Sequence, residues 1–163
     1  NRKIVYQYFI RLTYSSQESE ELTQETFYQA VKSIHRFKGE SSLKTWLLQI
    51  ARNVYRNKVR SLTKDRAYVS DAADMSLLPD ESRNPAEIAF RDQTRNEIRS
   101  VLQQLPDDYR DVLIFREIEG LSHDEIANIL RKTPQTTRVL LHRAKARFRD
   151  LYEKEVTRPD ESV

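Results

Sequence analysis

The stretch from Ser122 to Arg149, SHDEIANILRKTPQTTRVLLHRAKARFR, gathers side chains that do chemistry on a polyanion. It carries Arg131, Lys132, Arg138, Arg143, Lys145, Arg147 and Arg149 without one acid among residues 131–149, in a 163-residue chain whose formal net charge is only +3. Guanidinium and ammonium groups at that density neutralise phosphates and release counterions. Arg131, Lys132, Arg147 and Arg149 are the candidates for backbone contacts. Gln135, Thr136, Arg138, Val139, His142 and Arg143 are of types that hydrogen-bond to or pack against base edges, and so are candidates for reading sequence.

The elements that must position these residues are written in local capping chemistry. Ser122-His123-Asp124-Glu125 has the spacing of a capping box, which fixes a helix start. Ile126, Ala127 and Leu130 form that helix's inner face. Thr133-Pro134 is a cap followed by proline at the first helical position, so the next helix begins near Pro134, with Thr137, Leu141, Ala144, Phe148 and Leu151 as its buried seam. Two short-spaced helices, a tight turn and a basic outer face make a helix-turn-helix. An ordinary amphipathic helical hairpin explains the seam equally well. It does not explain a second helix that has no acid over its first four turns.

A second basic block lies at 32–66, with ten Lys or Arg against Glu40 and Asp65. The two basic blocks are separated by acidic ones: five acids and one Arg from Ala67 to Phe90, then seven acids and two Arg from Asp107 to Glu125. Such a division is expected of two surfaces that meet a polyanion, with solvated helix faces as the bland alternative. Within the first block, the loop Phe37-Lys38-Gly39-Glu40-Ser41-Ser42 holds one of only two glycines in the chain. Ser42 can cap a helix whose inner face is Trp46, Leu47, Ile50, Ala51 and Val54. Its other face carries Lys44, Arg52, Asn53, Arg56, Lys58 and Arg60.

Residues 62–85 lose the helical period and collect Asp, Ser, Asn and two prolines, a linker too long for a loop within one compact domain. The expected fold is therefore all-α: two small helical domains at 1–61 and 86–156, an acidic flexible linker at 62–85, and a frayed tail at 157–163. In the first, Ile4, Val5, Tyr8, Phe9 and Leu12 share a stripe. A second stripe holds Leu22, Phe27, Ala30, Val31 and Ile34, behind the acidic run Glu18, Glu20 and Glu21, which suits a helix N-terminus. In the second, Pro85 opens a helix through Ile88, Ile98, Val101 and Leu105, Pro106 ends it, and a further helix over 107–118 stops at Gly120. The absence of cysteine excludes disulfides, Cys-ligated zinc and thiol catalysis, and fits a reducing compartment, with the cytoplasm as the default. No segment reads as a signal peptide or membrane span, and Asn1 in place of Met leaves room for residues ahead of it.

The pattern LPDDYRDVLIFREIEGLSHDEIANIL, followed by a basic helix ending LHRAKARFR, resembles the minus-35-reading region of bacterial sigma factors of the extracytoplasmic-function type. EELTQETFYQAVKSIHRF resembles their core-polymerase-binding segment, and FKGESSLKTWLLQIARNVYRNKVR their minus-10-reading segment. The three stand in the family's order across almost the whole chain. The resemblance implies a non-enzymatic promoter-specificity factor without cofactor or metal, whose partners are core RNA polymerase, promoter DNA and an anti-sigma protein. It implies that Glu21, Leu22, Gln24, Glu25 and Phe27 grip the polymerase. It implies that Phe37, Lys38, Gly39, Ser41, Ser42 and Asn53, above an anchoring Trp46, hold a base flipped from the melted minus-10 strand, whose backbone follows Lys44, Arg52, Arg56, Lys58 and Arg60. It assigns Arg131, Lys132, Gln135, Thr136, Arg138, Val139, His142, Arg143 and Arg147 to the minus-35 duplex. One departure is visible. Where the family usually has Gly-Ile-Pro-Val-Gly-Thr-Val, this chain has Arg131-Lys132-Thr133-Pro134-Gln135-Thr136-Thr137, without either glycine.

Two rival readings are a helix-turn-helix regulator that binds duplex unaided and an enzyme acting on nucleic acid. The first leaves the QETF segment and the Trp-bearing basic helix of the N-terminal unit without a role. Against the second, His35, His123 and His142 are scattered, no paired-carboxylate cluster or Gly-rich phosphate loop is present, and Asp107, Asp108, Asp124 and Glu125 stand at helix starts.

Overall fold

A computed structural model describes residues 1–64 and 85–158. Every regular element among them is helical: α1 (Arg2–Thr13), α2 (Ser16–Ser33), α3 (Leu43–Lys64), α4 (Pro85–Gln104), α5 (Asp107–Leu113), α6 (His123–Leu130) and α7 (Pro134–Val156). A 3₁₀ turn at Ile34–Arg36 follows α2, and a π turn at Ile114–Ile118 follows α5. None of the described helices is long and apolar enough to cross a membrane. The chain divides into two compact units, the first built on α1–α3 and grouped with Asn128–Arg131, the second on the rest of α4–α7. Most of the expected linker, residues 65–84, lies outside the described residues, as does the tail from 159; residues 62–64 are the last of α3.

In the first unit, Val5, Tyr8, Phe9 and Leu12 of α1 are buried as their spacing demands. The stripe expected on α2 needs correction. Val31 and Ile34 are exposed, Val31 at 73%, and the buried face is Ser19, Leu22, Thr23, Thr26 and Ala30. These polar residues occupy a core face because their hydroxyls are satisfied: Thr23 Oγ1 donates to the Ser19 carbonyl at 2.6 Å, Thr26 Oγ1 to that of Leu22 at 2.8 Å, and Ser19 Oγ lies 2.9 Å from Thr13 Oγ1. The start of α2 is capped by Ser15, whose side chain accepts from the Glu18 amide. On α3 the buried set is Thr45, Leu47, Leu48, Ala51 and Arg52, so the inner face is rotated from the expected one and Trp46, Ile50 and Val54 are only half-buried. The expected Ser42 cap is present, its Oγ accepting from the Thr45 amide at 3.1 Å.

In the second unit, Val101 and Leu102 of α4 and Leu105 just beyond its end join Val112, Leu113, Ile114 and Phe115, and Thr137, Leu141, Ala144 and Leu151 of α7. Burial of each large apolar side chain contributes about 1.5–3 kcal/mol. Phe148 is half-buried and stacks on Tyr152, with ring centroids 5.9 Å apart. The helix that begins at Asp107 widens into the π turn before it stops at Gly120, whose φ of +68° is cheap only for glycine. Asp107 lies 3.2 Å from Arg110 and Asp108 3.5 Å from Lys132.

Candidate nucleic-acid interface

The helix-turn-helix is set by hydrogen bonds at both of its starts. Ser122 Oγ accepts from the Glu125 amide at 3.1 Å while Glu125 Oε2 accepts from the Ser122 amide at 2.8 Å, closing the capping box. Thr133 Oγ1 accepts from the Thr136 amide at 3.2 Å, with Pro134 opening α7. Between them Arg131 adopts φ 55°, and the Lys132 amide donates to the Ala127 carbonyl at 3.0 Å. A left-handed residue followed by that bond is a Schellman closure, here made by an arginine where glycine is the unstrained choice.

On α7 the buried seam turns the remaining residues outward. At 100° per residue, Gln135, Arg138, Val139, His142 and Arg143 fall within an arc of about 140° facing away from Thr137, Leu141 and Ala144. All five are exposed, as are Thr136, Arg147 and Arg149. The arc is thus lined by two guanidinium groups, an imidazole and an amide, which suits a groove edged with phosphates and base acceptors. Two basic groups of the block are already engaged by acids of the same unit: Lys132 with Asp108, and Lys145 Nζ with Glu117 Oε1 at 2.9 Å. Exposed pairs of this kind are weak, so a phosphate competes with them readily.

At the front of α6, the His123 ring reaches across to α7. Its Nδ1 lies 3.0 Å from Thr137 Oγ1, and that hydroxyl donates to the Pro134 carbonyl at 2.7 Å. Both bonds hold together only when Nδ1 carries the proton and Thr137 accepts it. Burial, then the nearby charges of Arg116 and Arg138, push the imidazole below its ordinary pKa, with Asp124 opposing. Sequence reasoning left His123 and Arg116 outside the interface, because the first lay inside a capping box and the second in an acidic block.

In the first unit, the loop Phe37–Ser42 runs from the 3₁₀ turn to α3. Gly39 sits at φ +73°, and nothing lies within 4 Å of where its Cβ would be, so backbone geometry rather than space calls for glycine. The Phe37 ring rests on Trp46 at a centroid distance of 5.0 Å. Lys38, Gly39 and Ser42 are exposed and Ser41 is half-exposed. Among the basic residues of α3, Arg60 is exposed, and Lys44 and Arg56 are half-exposed. Arg52 departs from expectation: only 6% exposed, it belongs to the helix's inner face, so it cannot follow a strand along the surface. Lys58 Nζ lies 3.3 Å from Glu18 Oε1 and ties α3 to the first turns of α2.

The residues expected to grip a polymerase divide as well. Glu21, Gln24 and Glu25 are exposed, Phe27 is half-buried, and Leu22 is a core residue at 5% exposure. Glu21, Leu22 and Glu25 of α2 share a groove of about 700 Å³ with Asn53, Val54, Asn57 and Lys58 of α3. Asn53, expected beside the Phe37 loop, therefore lines this α2–α3 groove.

Residues 1–65 match the family model described as Sigma-70 region 2, and residues 95–148 that described as Sigma-70, region 4. The chain is 32% identical over 144 residues to the RNA polymerase sigma-H factor of Pseudomonas aeruginosa, covering 83% of this chain and 74% of that one. It is 33% identical over 147 residues to the ECF RNA polymerase sigma factor SigX of Bacillus subtilis, covering 85% and 73%. To SigM of the same organism it is 30% identical over 152 residues, covering 93% and 90%. Among solved structures, its fold is similar to the sigma factor RpoE, crystallised with the anti-sigma factor NepR from Bartonella quintana, at a TM-score of 0.70 and 22% identity over 96% of this chain and 93% of that one. It is also similar to the structure of CnrH in complex with the cytosolic domain of CnrY, at a TM-score of 0.60 and 18% identity over 93% and 86%.

Proposed function

This chain belongs to the sigma-70 family, in its extracytoplasmic-function group, and is a promoter-recognition factor of RNA polymerase; from that premise we propose how its surfaces divide the work. Residues 1–61 bind core polymerase and read and melt the minus-10 element. Residues 86–156 read the minus-35 element as duplex, and 62–85 tether the two. The chemistry of transcription is the polymerase's, so no residue of this chain is catalytic.

The observation that carries this reading is the exposed basic arc of α7, held by caps at both helix starts and free of acids over residues 131–149. Arg143 and Gln135 reach base edges, Val139 and His142 pack in the groove, and Arg131, Lys132 and Arg147 meet phosphates. Glu21, Gln24 and Glu25 carry the polar contacts to core polymerase, with Leu22 and Phe27 supporting them from beneath. The Phe37–Ser42 loop, stacked on Trp46, is the shelf for the flipped minus-10 base, and Lys44, Arg56 and Arg60 follow the melted strand. Asn53, facing the groove beside Glu25, joins the polymerase-facing and DNA-facing surfaces. The protein works in the cytoplasm, held in check by an anti-sigma protein that covers these faces. Support for such a partner comes from the two fold relatives, both seen bound to other proteins, one of them a named anti-sigma factor.

The test is a gel shift with and without core polymerase. The chain should retain promoter duplex only in the holoenzyme, and Glu25→Lys should abolish the complex with core while leaving the helical circular-dichroism spectrum unchanged. Tight, sequence-specific binding by the chain alone would overturn the assignment.

A further inference from the structure

The imidazole of His123 stands at the corner of the helix-turn-helix, fixed from one side and unassigned on the other. Its Nδ1–H is committed to Thr137 Oγ1, whose own proton is committed to the Pro134 carbonyl, so a flip of the ring would break its bond to Thr137. Nε2 is thereby the nitrogen left to meet a ligand. Arg116, from the π turn, places Nη1 2.8 Å from the Leu121 carbonyl, which fixes its guanidinium beside the start of α6. Arg138, from the first turns of α7, adds a second positive charge, and Asp124 on α6 is the acid that acts on the ring. Three basic groups from three elements thus converge where the first helix of a helix-turn-helix crosses the DNA backbone.

We propose that His123, Arg116 and Arg138 form a backbone-phosphate site at this corner, which DNA fills only when the imidazole takes up a proton at Nε2. The proposal rests on the duplex-reading role of α7. Its chemical logic is one of donors and acceptors. A phosphate oxygen accepts hydrogen bonds and donates none, and neutral Nε2 likewise only accepts, so the two repel until Nε2 is protonated. In the free protein burial, and after it the two arginine charges, disfavour that proton. An arriving phosphate screens those charges and accepts from the new N–H, so binding and protonation support each other. Linkage gives the sign: the bound state holds more protons, so affinity falls as pH rises through the interval between the free and bound pKa values.

The experiment measures affinity of the holoenzyme for a duplex enriched by it from a random pool and truncated to its upstream element, at constant ionic strength from pH 6 to pH 8. The unsubstituted protein should lose roughly three- to tenfold in affinity across this range, one proton giving at most tenfold per pH unit. His123→Asn keeps a donor for Thr137 and removes the titrating nitrogen. It should bind several-fold more weakly at pH 6 and lose most of the pH dependence. His142→Gln, which removes the other imidazole of this surface, should retain the dependence whatever it does to affinity. As a measurement independent of any variant, the NMR titration of His123 in the full chain should move to higher pH when the duplex is added. An unmoved titration, or a pH dependence that survives His123→Asn and vanishes with His142→Gln, overturns the proposal. A holoenzyme with no affinity for any duplex overturns the reading of α7 beneath it, whereas firm binding with a flat pH profile removes the phosphate site alone.

Discussion

The rings of Phe37 and Trp46 lie 5.0 Å apart, centroid to centroid, and are inclined at 40°, so the loop between α2 and α3 rests on the only tryptophan of the chain. Tilted aromatic pairs contribute about 0.5–1.5 kcal/mol beyond the area they bury. Intrinsic tryptophan emission therefore reports this loop alone. Addition of a single-stranded minus-10 oligonucleotide to the holoenzyme should change the part of the emission that disappears in a Trp46→Phe protein. Emission unaffected by an oligonucleotide that demonstrably binds would place the flipped base elsewhere.

The correction on α2 has a direct consequence for stability. Val31→Lys should change unfolding free energy by no more than about 0.5 kcal/mol, because a side chain already in water loses little. Leu48→Ala, at a position with no exposure, should cost about 2–5 kcal/mol. Chemical denaturation followed by circular dichroism measures both, and comparable losses would contradict the observed register of α2.

Arg131 holds a left-handed conformation at φ 55°. For a residue with a Cβ this costs about 1–2 kcal/mol, partly offset by the greater unfolded-state freedom that glycine brings. Arg131→Gly should raise stability by about 0.5–1 kcal/mol, read as an increase of roughly 2–8 °C in Tm. The same change removes one positive charge and should weaken duplex binding. A lowered Tm would mean that the arginine side chain contributes more than its backbone strain costs.

How much of this was legible beforehand depended on whether the governing chemistry was local. Ser122, Glu125, Thr133 and Pro134 announced both helix starts because a cap is satisfied within three residues, and the structure has those bonds. On α2 and α3 apolar character alone does not mark the inner face. Thr23 and Thr26 are buried by donating to their own helix, and Arg52 by packing inward, while Val31 and Ile34 are left in water. Partners distant in sequence were not legible at all. Nothing local joins Glu18 to Lys58, or places His123 against Thr137.

The ion pairs of the second unit make a prediction about salt. Asp108→Asn releases Lys132, and Glu117→Gln releases Lys145. Each should tighten duplex binding by the holoenzyme modestly, about two- to fivefold at low salt, in line with exposed pairs of up to about 1 kcal/mol. If the freed ammonium meets a phosphate, the slope of log K against log salt should steepen by about 0.9. An unchanged slope in both variants would mean that Lys132 and Lys145 stay off the DNA backbone.

The central claim is that this chain confers promoter specificity on core polymerase through two surfaces, one on each unit. Transcription in vitro from a pool of bacterial promoter fragments, with core enzyme and with or without the chain, tests it most directly, followed by permanganate footprinting of the templates that are used. Defined start sites with melted minus-10 bases should appear only when the chain is present. They should be lost with Glu25→Lys and redistributed among minus-35 variants with Arg143→Ala, which should cost about 1–3 kcal/mol at the base it reads. No promoter-dependent initiation with core enzyme, from a chain that binds duplex unaided, would contradict the account.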